Sequence, residues 1–166
     1  LPHSTTSVAV ADTGPLIALA RLDHLALLPK LFARTLVPEA VLAECTVRPE
    51  LMDAVRIRQA CDSGLLDVCA AEPIVATTHL GRGERFAIGK ALEMRAALLA
   101  DDLAARRQAQ SMGLTTIGTL GVLVGAKRGG LLTEVRPLFE ALRVSGYWIG
   151  DEALRAGLRA AGEGDM

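Results

Sequence analysis

Aromatic side chains make up only 3% of this 166-residue chain, too few to build the exposed stacking platforms on which many modules read single-stranded nucleic acid. Cysteine is equally scarce. Cys45, Cys61 and Cys69 are odd in number and lack Cys-x-x-Cys spacing, which argues against a disulfide framework and a zinc knuckle and for ordinary buried or half-buried thiols in a cytoplasmic protein. Neither sign of charge dominates: 18 Lys and Arg face 19 Asp and Glu, for a net charge of −1. No global positive field therefore draws the chain to nucleic acid, and any such partner must be met at a local site. Apolar runs are all short. None reaches the roughly 18 uncharged residues that a membrane helix needs, and no basic stretch precedes an apolar one at the start, so neither a membrane partner nor a secretory leader is expected. Leu1 is not an initiator Met, which points to a trimmed chain.

What the chain does have is apolar mass, 51% of its residues, enough for one substantial core. Strand candidates are Val8–Ala11, Thr35–Val37, Leu66–Val68, Ala97–Ala100 and Thr115–Ile117, each short and continuously apolar or β-branched, as strands covered on both faces are. Helical patterns lie between them. Pro15 suits a first turn, and Asp23 is placed to cap a helix reaching Leu31. Pro38 and Pro49 open two more segments, Gly81 precedes a long amphipathic stretch, and Asp101 or Asp102 can cap the helix that stops at Gly113. Gly129-Gly130 ends the next, Thr133 is a cap candidate for a helix to Arg143, and Asp151 for the last one. Strand-then-helix repetition predicts a three-layer α/β/α fold around a mostly parallel, roughly five-stranded sheet. With no linker or repeat, residues 1–166 read as a single domain with a C-terminal helical extension from about residue 133.

Acids mark the junctions. Asp12 ends the first strand and is followed by Thr13-Gly14-Pro15; Asp101-Asp102 follow the fourth. In an open parallel sheet both positions face the edge where ligands bind. Glu44 lies late in its helix, against the helix dipole, whereas Glu84 lies in a first turn. Spacing alone does not bring these two to Asp12.

The run Asp12-Thr13-Gly14-Pro15-Leu16-Ile17, then Pro38-x-x-Val41-x-x-Glu44, resembles the opening of a PIN domain. Leu80-Gly81-x-Gly83-Glu84-x-x-Ala87-Ile88, Leu99-x-Asp101-Asp102-x-x-Ala105-Arg106-x-x-Ala109 and Ile117-Gly118-Thr119-Leu120-Gly121 follow in order, and the tail around Leu142 and Ser145-Gly146 fits too. The order is similar to bacterial and archaeal PIN proteins described as nucleic-acid binders. The resemblance implies a Mg²⁺- or Mn²⁺-dependent endoribonuclease, the toxin of a toxin–antitoxin pair, with Asp12, Glu44, Glu84 and an acid of the Asp101-Asp102 pair lining the active site. Asp102 is the better match to the family pattern, leaving Asp101 to bind a second ion or cap the helix. RNA, a small antitoxin and a second copy of the chain are the implied partners. Hard divalent cations prefer oxygen ligands and keep several waters, one of which can attack a phosphodiester. Gathering acids without an ion is costly: two like charges about 4 Å apart repel by roughly 4 kcal/mol at an effective dielectric near 20. A raised acid pKa and stabilisation by Mn²⁺ are therefore expected.

Thr13 and Thr119 follow strand ends and are candidates for phosphate or metal-water contact, or simple helix caps. Arg82, Arg85, Arg106 and Arg107 flank the acids, Arg106 being the foremost candidate for a phosphate contact. Glu39, Glu50 and Glu72 read as dipole partners at helix starts. Gly81-x-Gly83 lacks the strand and further residues of a phosphate loop, and His3, His24 and His79 share no ligand pattern. Tyr147 and Trp148 are expected to pack in the core or on a partner rather than stack on bases. Two other functions compete. A non-catalytic PIN-fold module binding nucleic acid or protein would have little use for the full acid set. A phosphatase using Asp12 as nucleophile would want Asp-x-Asp where residue 14 is Gly, and a lysine nearer a strand end than Lys127.

Overall fold

Five apolar runs form one sheet, and their composition explains why. In the computed structural model, which describes residues 7–75 and 79–164, β1 is Val8–Ala11, β2 Arg34–Pro38, β3 Asp67–Cys69, β4 Ala97–Leu99 and β5 Thr116–Ile117. All four pairings are parallel, in the order β3-β2-β1-β4-β5. Parallel strands lie under helices on both faces, so their residues are apolar without alternation. Ala9, Val10 and Ala11 of the central strand are fully buried, as is Leu99 of β4, whereas the edge strands are only partly covered. The predicted three-layer α/β/α architecture is the one found.

The helices are α1 Thr13–Arg21, α2 Leu28–Leu31, α3 Glu39–Cys45, α4 Met52–Asp62, α5 Arg82–Met94, α6 Leu103–Ser111, α7 Thr119–Arg128, α8 Arg136–Val144 and α9 Asp151–Ala160. Three expected starts are displaced. Asp23 has φ 57° and ends α1 rather than opening the next helix, with Asp23 N–H on Ala20 O and His24 N–H on Leu19 O. Short polar residues tolerate this left-handed position better than most. Pro49 sits in a turn closed by Leu51 N–H on Arg48 O, and α4 starts only at Met52, which leaves Glu50 outside its first turn. Glu72 likewise lies in irregular chain, its carbonyl against Gly89. Thr133 does not cap α8; Glu163 does so from the end of the chain, accepting from Val135 N at 2.7 Å and Arg136 N at 2.8 Å. Lys127 Nζ lies 2.6 Å from the same carboxylate, which fastens the tail to α7.

The strand order sets the position of everything that follows. From β1 the chain builds outward through β2 to β3, then returns to β1's other side with β4 and β5. The reversal lies between β1 and β4, where crossover connections diverge and leave a crevice beyond the strand ends. Asp12 N–H donates to Leu99 O at 2.9 Å, tying the two strand ends together at this point.

Candidate active site

The crevice is filled with acids. A pocket of about 320 Å³ is lined by Asp12, Glu44, Glu84, Asp101 and Asp102, together with Thr13, Gly14, Gly81 and Tyr147. All five acids singled out in the sequence are thus brought together, from the end of β1, the last turn of α3, the first turn of α5 and the β4–α6 junction.

Asp12 is the innermost, at 5% exposure. It stands in the position that precedes α1, yet its carboxylate makes no capping hydrogen bond. Its Oδ1 is buried with no partner among the described residues. Burial, only partly opposed by the Thr13 N–H, pushes its pKa from 3.8 up to about 7, with the charges of Glu84, Glu44 and Asp101 adding to the shift. A helix cap would have used this oxygen. Cys45 beside it is an inert thiol, pushed up to about 12 by burial and by the Asp12 charge, while Cys61 and Cys69 are half-buried and free.

The outer acids are each held by a donor. Glu44 accepts from Thr13 Oγ1 at 2.9 Å and from Gly83 N at 2.7 Å. A Cβ on Gly83 would stand 2.8 Å from Glu44 Cδ, so only glycine lets the two helices meet this closely. The amide at the start of α5 thereby supports an acid that its own helix dipole opposes. Glu84 reaches back to Gly81 N through Oε2 at 2.7 Å, and burial raises its pKa. Asp102 caps α6 through Oδ1, 2.9 Å from Ala105 N. Asp101 instead turns into the pocket and accepts from Thr119 N at 2.7 Å, from Thr119 Oγ1 at 2.5 Å, and from the Tyr147 hydroxyl.

These bonds explain why, among the described residues, no three His, Cys, Asp or Glu side chains stand ready as an ion's ligands. Each outer carboxylate leans on a protein donor. Even so, the donor set fits a hard cation: it is all oxygen, and Asp12 Oδ1, Glu84 Oε1 and Asp102 Oδ2 have no hydrogen-bond donor among the described residues. The orphaned buried oxygen of Asp12 is the telling one, because such atoms are costly unless something meets them.

Thr13 and Thr119 act neither as caps nor, in this structure, toward solvent: both hydroxyls steady carboxylates. Arg106 donates from Nη1 to Ala100 O at 3.3 Å and lines a neighbouring groove rather than the acid pocket, while Arg82 stacks over Phe86, 5.1 Å from the ring centroid. His3 lies outside the described residues, and His24 is used locally, its Nδ1 2.5 Å from Leu22 O. Tyr147, expected from the sequence to pack in the core or on a partner, instead lines the acid pocket and meets Asp101. Burial and the Asp101 charge push its phenol pKa up, so it stays a neutral donor to Asp101. It sits in an irregular segment, where no periodicity marks it. Its neighbour Trp148 does not pack in the core and is 86% exposed.

No curated protein matches this sequence. Among solved structures, a PilT N-terminus domain protein from the hyperthermophilic archaeon Sulfolobus solfataricus P2 is similar in fold, with a TM-score of 0.50 and 19% identity over 72% of this chain and 92% of that one. Among the described residues no helix is long and apolar enough to cross a membrane. The family model described as a PIN domain matches residues 8–163, and the chain therefore belongs to the PIN domain family, whose members are in general nucleases that use divalent metal ions.

Proposed function

We propose that this protein is a Mg²⁺- or Mn²⁺-dependent endoribonuclease that hydrolyses RNA phosphodiester bonds. The observation that carries the reading is the buried, unpartnered Asp12 Oδ1 at the centre of four further acids. Asp12, Glu44, Glu84 and Asp102 would hold the cation, with Asp101 beside them. The bound ion supplies charge neutralisation and an activated water for attack on phosphorus. The chain does the positioning. Gly83 and Thr13 fix Glu44; Thr119 and Tyr147 fix Asp101. Thr13 lines the acid pocket, and Thr119 and Arg106 the groove beside it; in this reading the two hydroxyls also serve a phosphate oxygen or a water, and Arg106 the RNA backbone.

The role of toxin in a toxin–antitoxin pair is supported by the resemblance in motif order. In that role a small antitoxin would cover the acid pocket, and a homodimer and a cytoplasmic setting are consistent with the composition. The test is cleavage of single-stranded RNA in Mn²⁺, expected to vanish in EDTA and in Asp12→Asn. RNA that binds but stays intact with wild-type protein and Mn²⁺ would instead establish a non-catalytic binding module. Growth arrest on expression, relieved by Asp12→Asn, checks the toxin role.

A further inference from the structure

Beside the acid pocket lies a larger depression. A groove of about 830 Å³ runs along α7 and α9, and Asp101 and Tyr147 line both spaces. Its charged lining is Lys30, Arg106 and Arg128, with Asp101 the single carboxylate, at the end shared with the acids. That surplus of positive charge is local, because the chain as a whole carries a net charge of −1. Arg128 spends Nε and Nη2 on Ala160 O, which fixes its guanidinium on the groove wall. At the edge stands Trp148, whose ring lies beside the bare backbone of Gly150; a Cβ there would be 3.4 Å from the ring. A large aromatic surface 86% open to water, in one groove with three cations and adjoining the acid pocket, has the parts of a single-strand binding site.

We propose that this groove is a subsite for single-stranded RNA: Trp148 stacks on a nucleobase next to the scissile phosphate, and Lys30, Arg106 and Arg128 meet the neighbouring phosphates. Only the placement relative to the scissile bond rests on the nuclease reading. The volume falls within the roughly 300–1,000 Å³ of pockets that enclose drug-sized molecules, which suits one or two nucleotides. Stacking on one indole tolerates any base, since every base has a π-face. It also requires an unpaired base, because bases within a duplex hide their faces in the stack. Three cations against one carboxylate favour a polyanion over a protein segment as the occupant.

Trp148 is the only tryptophan in the sequence, so its emission reports the subsite directly. The full chain, in EDTA, is titrated with a short single-stranded RNA and with the same sequence as a duplex. The single strand should quench the emission saturably and the duplex should not. Trp148→Ala should weaken binding of the single strand by about tenfold, as loss of one base–aromatic stack does, with the melting temperature unchanged, and Trp148→Phe should keep most of the affinity. If Mn²⁺-dependent cleavage proceeds while RNA leaves the emission unmoved and Trp148→Ala binds equally well, the subsite is overturned and the nuclease reading survives. Saturable quenching without cleavage supports the subsite and overturns the nuclease. A dimer lost in Trp148→Ala, with no response to RNA, overturns the proposal and assigns the face to a second copy.

Discussion

Replacing Asp12 with Asn keeps the shape of the side chain and removes its charge, and the structure predicts an unusual consequence. In the folded chain the Asp12 pKa is about 7, against 3.8 when exposed. At about 1.4 kcal/mol for each tenfold change in proton affinity, the distance from 3.8 to about 7 makes the ionised form cost about 4 kcal/mol. Between these two pKa values the folded chain keeps a proton that the unfolded chain has lost. The associated stability is therefore full below the unfolded value, declines as pH rises, and is gone above about pH 7. The assay is urea unfolding in EDTA from about pH 4 to pH 8. Over that range wild type should lose about 4 kcal/mol more than Asp12→Asn, the residual slope of the variant coming from other groups such as Glu84. Asn brings its own penalty, about 1–3 kcal/mol for a buried amide lacking partners, but that cost does not titrate and cancels in the difference of slopes. At pH 8 the variant should be as stable as wild type or more so. Parallel stability curves for the two proteins would refute the reasoning, since they would mean that Asp12 is solvated or paired like an ordinary carboxylate.

Three further outcomes follow from the same geometry. Mn²⁺ at a hundredfold excess over its Kd should add about 2.7 kcal/mol, seen as a rise in Tm of about 5–10 °C, and Asp12→Asn should erase the rise; a wild-type melting curve unmoved by millimolar Mn²⁺ would remove the metal centre. Gly83→Ala should displace Glu44, because the new Cβ would press on its carboxyl carbon; Mn²⁺ affinity and RNA cleavage should both fall, despite the roughly 1 kcal/mol by which Ala ordinarily favours a helix, and unchanged Mn²⁺ binding by calorimetry would contradict this packing. Tyr147→Phe removes one donor from Asp101 and should cost about 1 kcal/mol in urea unfolding, with slower cleavage; equal stability and equal rate would show that the hydroxyl does not position the acid.

Much of the site was legible in the sequence because it sits at element ends, which local chemistry marks. The alternation of continuous apolar runs with helical patterns determined a parallel three-layer fold, since strands covered on both faces leave that signature. Asp12 and Asp101-Asp102 stood at strand ends, and the fold sends the ends of parallel strands to one edge. Motif order pointed to Glu44 and Glu84 as well. The tertiary structure decided the partners. It gave the α6 cap to Asp102 and turned Asp101 inward, a choice made by Thr119 and Tyr147, which are 18 and 46 residues away from it in the chain. It made Gly83 the amide that holds Glu44, 39 residues distant, and gave the capping of α8 to Glu163 rather than Thr133. It also separated the adjacent Tyr147 and Trp148, burying one hydroxyl against an acid and leaving the other ring in water. Periodicity records which face of an element is buried, whereas a hydrogen bond between distant segments depends on where the sheet carries each of them.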